Sequence, residues 1–192
     1  MVYNRYMDIL DKAIIFATKA HSGSFRKGTT IPYIVHPMEA ASIVATMTDD
    51  KEIIAGAVLH DTVEDTDATL EDIKREFGER VADLVSAESE NKREELPSED
   101  TWKIRKQETL DHLKNHASIE AKMITLGDKL SNIRAIYRDY TTLGDKLWAR
   151  FNQKDKSEHA WYYKSIAEDL TELKDTFAYK EYLDLVNKVF SE

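Results

Sequence analysis

The stretch His60-Asp61-Thr62-Val63-Glu64-Asp65 places one imidazole and three carboxylates within six residues, directly after the apolar run Ile53-Ile54-Ala55-Gly56-Ala57-Val58-Leu59. A His and an Asp side by side can both reach one metal ion, and a carboxylate one turn further on can handle a proton of the water that ion activates. On a continuous helix His60 would lie over Glu64 and Asp61 over Asp65, because positions four apart share a face. The plainer reading is a helix end that turns polar at the surface, and a His-Asp pair alone does not decide between the two. Two other segments bear on the choice. Pro32-Tyr33-Ile34-Val35-His36-Pro37 supplies a second imidazole. Thr125 to Asn132 holds Asp128 among Met123, Ile124, Leu126, Leu130 and Ile133, which reads as a largely buried helix. A buried carboxylate needs a partner, and a metal ion is a good one. Two imidazoles with two carboxylates suit Mn²⁺ or Fe²⁺, with zinc also compatible, and open coordination positions would take water and a phosphate oxygen.

The elements that must bring these residues together are helices. Only six Gly and three Pro interrupt the 192 residues, and Glu, Lys, Leu, Ala and Asp are abundant, so an all-α fold is expected. Apolar periodicity predicts a first helix from about Tyr6 to His21, followed by a loop, Ser22 to Pro32, that sets Arg26 and Lys27 between two glycines. Pro37 suits the first turn of a second helix running to about Met47, with His36 at its entrance. Asp49-Asp50 caps a third helix that carries the apolar run into His60. Asp67-Ala68-Thr69 caps a short helix through Phe77 that ends at Gly78. A helix through Val81, Leu84 and Val85 runs out into Ser86 to Lys92, and residues 90 to 100 read as loop. Helices are then expected from Ser98 to His116 and from Ile119 to Tyr140. Gly127, inside the second of these, would let another backbone approach closely at some helical cost. Gly144 to Ser157 is irregular, and helices at His159–Thr176 and Tyr179–Phe190 close the chain. Without a repeat, linker or low-complexity tract, residues 1–192 read as one domain, with a core at about 6–140 and C-terminal helices at about 157–192 packed on it.

Composition narrows the function classes. The absence of Cys excludes disulfides, zinc-thiolate sites and thiol nucleophiles. No charged-then-apolar leader opens the chain and no apolar run approaches membrane-spanning length, so a soluble, cytoplasmic protein is expected. A net charge of −9 argues against broad nucleic-acid binding. It leaves room for a small anionic substrate held by a few local cations or a metal.

The order His36…His60-Asp61…Asp128 resembles the HD superfamily of metal-dependent phosphohydrolases. More closely, the chain resembles the hydrolase domain of RelA/SpoT homologues in its short stand-alone form, the small alarmone hydrolases. The matching stretches are Ala20-His21-Ser22-Gly23…Arg26-Lys27-Gly28, Pro32-Tyr33…His36-Pro37, Leu59 to Thr66 and Gly127 to Arg134, with a weaker match around Trp161-Tyr162-Tyr163. They fall in family order across roughly residues 10 to 140.

That resemblance implies an all-α HD domain that removes the 3′-pyrophosphate of guanosine tetra- or pentaphosphate, releasing GDP or GTP and pyrophosphate, with Mn²⁺ as metal. It implies His36, His60, Asp61 and Asp128 as ligands, and Glu64 and Asp65 as the pair that positions or deprotonates the attacking water. Arg26 and Lys27 go to the nucleotide, where a guanidinium can stack on a base and an ammonium can meet phosphate. Asn132, four residues after Asp128 and on the same face, goes to ribose or phosphate, and Tyr162 to the substrate, although Tyr163 stands beside it. Gly127-Asp128-Lys129-Leu130-Ser131-Asn132 departs from the Ala-Asp-Arg-Leu-His-Asn of the larger enzymes while keeping the Asp and the Asn. Ser86 to Lys106 follows the family loosely, leaving Lys92, Arg105 and Lys106 as candidate phosphate contacts. The chain stops about where the HD domain should, without a synthetase domain, so degradation rather than synthesis is expected.

Each assignment has a plainer rival. Glu64 and Asp65 could only orient the ligands, and Arg26-Lys27 could be a solvated loop. His21 reads as structural, His112 and His116 as a solvated face despite their spacing, and His159 stays open beside Tyr162. Trp148, Phe151, Trp161 and the neighbouring tyrosines read as C-terminal core apart from one tyrosine. At the level of the whole chain, the rivals are an HD phosphohydrolase of another nucleotide and a non-catalytic nucleotide-binding protein on the same fold.

Overall fold

Asp8 accepts the backbone N–H of Leu10 and so starts α1 (Ile9–Ala20), satisfying one of the donors that every helix leaves open at its first turn. This is a computed structural model describing residues 7–90, 93 and 95–191, with the side chains of Ser98 and Glu99 also outside it. Tyr6, where the first helix was expected to begin, lies outside the described residues. Ser22 to Ile34 then loops out and back, held by a single antiparallel bridge between Phe25 and Pro32.

α2 (Val35–Val44) begins two residues before Pro37 rather than at it. The proline is tolerated because the N–H it lacks falls in the first turn, where no intrahelical acceptor exists. Asp50 caps α3 (Lys51–Leu59) through the Glu52 N–H, as expected. α3 does not continue through the acidic stretch. The His60 ring Nδ1 takes the Ala57 carbonyl at 2.8 Å and the Thr62 hydroxyl takes that of Leu59 at 2.7 Å. Side chains therefore claim the acceptors of the last turn, and a separate short helix, α4 (Thr62–Asp65), follows. His60 and Glu64 thus do not share one helix, a correction to the expected face. Asp61 and Asp65 still meet, because α4 makes one turn with the Asp65 N–H bonded to the Asp61 carbonyl at 2.9 Å.

Thr69 and Asp72 form a reciprocal capping box at the start of α5 (Leu70–Phe77). Gly78, at φ 91°, turns the chain directly into α6 (Glu79–Glu88). α7 (Ser98–Asn115) and α8 (Ile119–Leu143) follow, the latter running three residues past the expected Tyr140. Gly144 to Arg150 winds as a 3₁₀ helix. The helix expected at His159–Thr176 is instead α9 (Lys156–Asp169) and a 3₁₀ turn at Thr171–Leu173, before α10 (Phe177–Phe190). The fold is all-α.

α8 is the spine, packing on α2, α3, α6 and α10. One apolar core lies on the α1, α2, α3, α5 and α6 side and includes Val58, Leu59, Ile73 and Val81. The other joins α8 to α9 and α10 through Leu126, Leu130, Ile133, Ile166 and Tyr182. Close approach of α2 to α8 depends on Gly127. A Cβ there would stand 2.7 Å from Val44 Cγ2 and 2.8 Å from the Ala40 carbonyl oxygen. That contact brings His36 on α2 against Asp128 on α8.

Candidate metal centre

Four side chains converge where α2, α3, α4 and α8 meet. His36 Nε2 lies 3.1 Å from Asp128 Oδ1 and 3.4 Å from Asp61 Oδ2. His60 Nε2 lies 3.1 Å from Asp61 Oδ2 and 3.7 Å from Asp128 Oδ1. His36, His60 and Asp128 each offer a ligand atom within 4.8 Å of the others, and all three are buried. The rings cross edge to face with centroids 5.2 Å apart.

The far side of each ring shows why Nε2 points inward. The Ala57 carbonyl can only accept, so His60 Nδ1 carries a proton and Nε2 is the atom turned to the centre. His36 Nδ1 meets the Ser131 hydroxyl at 2.9 Å, and Ser131 in turn donates to Glu39 at 2.8 Å. Both Nε2 atoms thus face two carboxylates. Burial opposes charge on His60, but Asp61 and Asp128 outweigh it and hold the ring well above its ordinary pKa of 6.5. Asp61 and Asp128 are held well below 3.8 against burial, Asp61 by His60 and His36, and Asp128 first by the Lys129 ammonium. His60 Nε2 is buried without a hydrogen-bond partner. A divalent cation would satisfy that atom and the facing carboxylates together, so the donor set fits a metal.

Asp128 is fixed from both sides, with Asn132 Nδ2 donating to Oδ1 and Lys129 Nζ to Oδ2, each at 2.5 Å. The Tyr33 hydroxyl stands 2.7 Å from Asp61 Oδ2 and 2.8 Å from Asp65 Oδ2. Burial, followed by these carboxylates, drives its pKa far above 10.0. Glu64 Oε2 accepts from the Glu90 backbone N–H at 3.4 Å.

Two cavities adjoin the centre. The smaller, about 180 Å³, is bordered by all four of these side chains with Glu64, Asp65, Lys106 and Lys129. The larger, about 350 Å³, is bordered by Arg26, Lys27, Arg138, Arg150, Phe151 and Tyr163 among others. Arg26, Tyr33, His36, Asp65 and Asn132 line both. Arg26 donates to Asn132 Oδ1 at 2.5 Å, and Lys27 to Asn152 Oδ1 at 2.7 Å.

The expected site residues are therefore brought together with one shift at the tyrosines. Tyr163 borders the larger cavity, whereas Tyr162 borders neither and keeps a buried hydroxyl without a partner. Its ring has Lys106 at 5.0 Å and Lys129 at 5.9 Å from its centroid. Of the candidate phosphate contacts, Lys106 lines the smaller cavity, Arg105 does not, and Lys92 lies outside the described residues. His159 stacks on Trp148 and meets the Gln153 carbonyl at 2.8 Å, a core histidine. His112 and His116 are exposed. His21 is buried against the Tyr33 ring, and burial lowers its pKa.

Sequence reasoning assigned no role to Tyr33, Lys129, Ser131 or Glu39. The first three sit inside the motif stretches, one to three residues from a proposed ligand, and that adjacency was the only available signal. Glu39 gave none.

Comparison with known proteins bears on the same residues. A profile of the HD domain family matches residues 13–155, a span containing every proposed ligand. The chain is 37% identical over 135 residues to the guanosine-3′,5′-bis(diphosphate) 3′-pyrophosphohydrolase MESH1 of Danio rerio, covering 68% of this chain and 70% of that protein. It is 36% identical over 135 residues to the guanosine-3′,5′-bis(diphosphate) 3′-pyrophosphohydrolase of Aquifex aeolicus, of which it spans only 19%. In fold it is similar to a solved metazoan ortholog of SpoT, with a TM-score of 0.75 at 24% identity over 96% of this chain and 97% of that one. A solved Listeria monocytogenes protein gives a TM-score of 0.72 at 29% identity over 85% of this chain and 100% of that one. With two imidazoles and two carboxylates meeting on an all-α scaffold and a profile that covers them, the chain belongs to the HD domain family.

Proposed function

We propose that this protein is a metal-dependent phosphohydrolase that removes the 3′-pyrophosphate of guanosine 3′,5′-bis(diphosphate), or of its pentaphosphate form, yielding GDP or GTP and pyrophosphate. One observation carries the reading: a His36–His60–Asp61–Asp128 donor set, buried at all but Asp61, stands between a small cavity with Lys106 and Lys129 and a larger one with Arg26 and Lys27. Two relatives whose names state this activity are 36–37% identical to the chain.

His36, His60, Asp61 and Asp128 would hold the ion, and their mixed nitrogen and oxygen donors suit Mn²⁺, with Fe²⁺ next. When bound, the ion supplies Lewis acidity to a water and to a phosphate oxygen. The nucleoside lies in the larger cavity, its base against the Arg26 guanidinium and the Tyr163 ring, with Lys27 meeting phosphate and Asn132 the ribose. The 3′-diphosphate then enters the smaller cavity, where Lys106 and Lys129 balance its charge. Asp65, held toward the centre by Tyr33, and Glu64 orient the attacking water in line with the 3′-phosphorus and take its proton. The phosphorus–O3′ bond breaks, O3′ gains a proton as the nucleoside product, and pyrophosphate leaves. Tyr162 acts from behind Lys106 and Lys129, where its ring supports both ammoniums. We place this activity in the cytoplasm; among the described residues no helix is long and apolar enough to cross a membrane.

A nucleotide panel with Mn²⁺ tests the substrate. Turnover of guanosine tetra- or pentaphosphate with silence on nucleoside monophosphates supports the proposal. Turnover confined to other nucleotides replaces the substrate, and binding without turnover removes the enzyme claim.

A further inference from the structure

The two ligand histidines turn Nε2 to the metal centre by anchoring Nδ1 in different ways. His60 relies on a backbone carbonyl of its own helix, that of Ala57. His36 relies on a side chain, the Ser131 hydroxyl 2.9 Å from its Nδ1. A hydroxyl can donate or accept, so this contact alone leaves the tautomer of His36 open. Glu39 removes the ambiguity. Its Oε2 lies 2.8 Å from Ser131 Oγ, and a carboxylate only accepts, so the single serine proton goes to Glu39 and the serine lone pair takes the His36 Nδ1 proton. Glu39 is held in turn. Its Oε1 accepts from Arg134 Nη1 at 3.0 Å, and Arg134 is gripped by Glu181 of α10 through two bonds of 2.7 Å.

We infer that Ser131 and Glu39 are positioning residues for the metal ligand His36, setting its tautomer and ring direction, with Arg134 and Glu181 steadying Glu39 from the C-terminal helix. Buried Ser131, 2% exposed, sits on α8 one turn from Asp128, so the helix that carries one ligand also aims another. Glu39 lies on α2 one turn after His36. The relay is therefore intrinsic to the α2–α8 contact that Gly127 permits, and it reaches a helix outside the family-matched residues 13–155. The inference rests on the metal centre and not on the identity of the nucleotide.

The test compares wild type with Ser131→Ala, Glu39→Gln and Glu181→Gln, using Mn²⁺ titration calorimetry, ¹⁵N signals of the His36 ring in the metal-free protein, and thermal unfolding. Ser131→Ala is expected to weaken Mn²⁺ binding roughly 10–100-fold, the usual cost of losing a group that orients a ligand, and to mix the His36 tautomers. In Glu39→Gln the amide can turn its N–H toward Ser131, letting the hydroxyl donate to His36 and shifting the ring toward the Nε2-protonated form. Its affinity loss is expected to fall between those of the other two. Glu181→Gln is expected to cost less than about threefold, because Arg134 and Glu181 form a partly exposed pair. Wild-type affinity and an unmixed His36 tautomer in both Ser131→Ala and Glu39→Gln would overturn the inference. A wild-type protein that binds no Mn²⁺ would instead remove the metal-centre reading, and the ring signals would still decide the relay. Glu39→Gln preserves size at a half-exposed position, so a folding defect in Ser131→Ala leaves the test standing.

Discussion

Tyr33 holds its hydroxyl oxygen 2.8 Å from Asp65 Oδ2 while standing 2.7 Å from Asp61 Oδ2. One phenolic proton is thus set between a proposed metal ligand and a proposed catalytic carboxylate. Tyr33→Phe removes the donor and leaves the ring. Turnover is expected to fall roughly 10–100-fold, as for loss of one positioned hydrogen bond at a reacting centre, while Mn²⁺ affinity stays within about threefold. Steady-state kinetics beside metal titration reads both. Equal losses in the two would mean that Tyr33 serves the metal rather than Asp65.

Glu64→Ala and Asp65→Ala address the proposed catalytic carboxylates directly. All four metal-site side chains remain in either variant, so Mn²⁺ should still bind. Turnover is expected to drop at least about 100-fold in each, the usual scale for loss of a positioned proton acceptor. Full activity in both would return the pair to a merely orienting role.

Gly127 and Gly56 make contrasting demands. An alanine methyl at Gly127 meets the Ala40 carbonyl at 2.8 Å, and backbone cannot easily yield. At Gly56 the nearest atom is the tip of Ile124, Cδ1, at 3.0 Å, which can rotate away. Gly127→Ala is therefore expected to cost about 1–3 kcal/mol of stability by overpacking, even after the helical gain of alanine. Gly56→Ala should come out near neutral. Chemical denaturation compares them, and equal effects would contradict the close approach of α2 and α8.

Glu90 carries a pH prediction. Burial opposes its ionisation, but the Lys106 ammonium at 2.6 Å dominates and lowers its pKa from 4.5 to about 2. A carboxylate depressed in the folded state contributes stability that is complete above the unfolded value and lost as pH falls through the folded one. Wild type should therefore lose stability between pH 4.5 and 2 more steeply than Glu90→Gln. Denaturation series across that window provide the check, and parallel curves would show that Glu90 is not held by Lys106 in solution.

What could be read before the fold was known depended on how local each feature is. Asp50, Thr69 and Gly78 are caps whose partners lie within a few residues, and their helix ends were legible. The break after Leu59 was not, because it comes from two side chains, those of His60 and Thr62, taking carbonyls that a continuing helix would use. The proposed ligands were legible as residue types in order. Their orientation was not, because it depends on contacts across 95 positions between His36 and Ser131 and 28 between Tyr33 and Asp61. Tyr162 and Tyr163 are adjacent in the chain, and only the direction in which α9 is turned distinguishes the one that borders the larger cavity.

The bond that breaks is the central claim. Guanosine tetraphosphate labelled at the terminal phosphate of its 3′-diphosphate, incubated with Mn²⁺ and the wild-type protein beside Asp61→Ala, reports it directly. The predicted result is label in pyrophosphate, GDP in equal amount, and no turnover in Asp61→Ala. Label in orthophosphate, or turnover that survives Asp61→Ala, would contradict it.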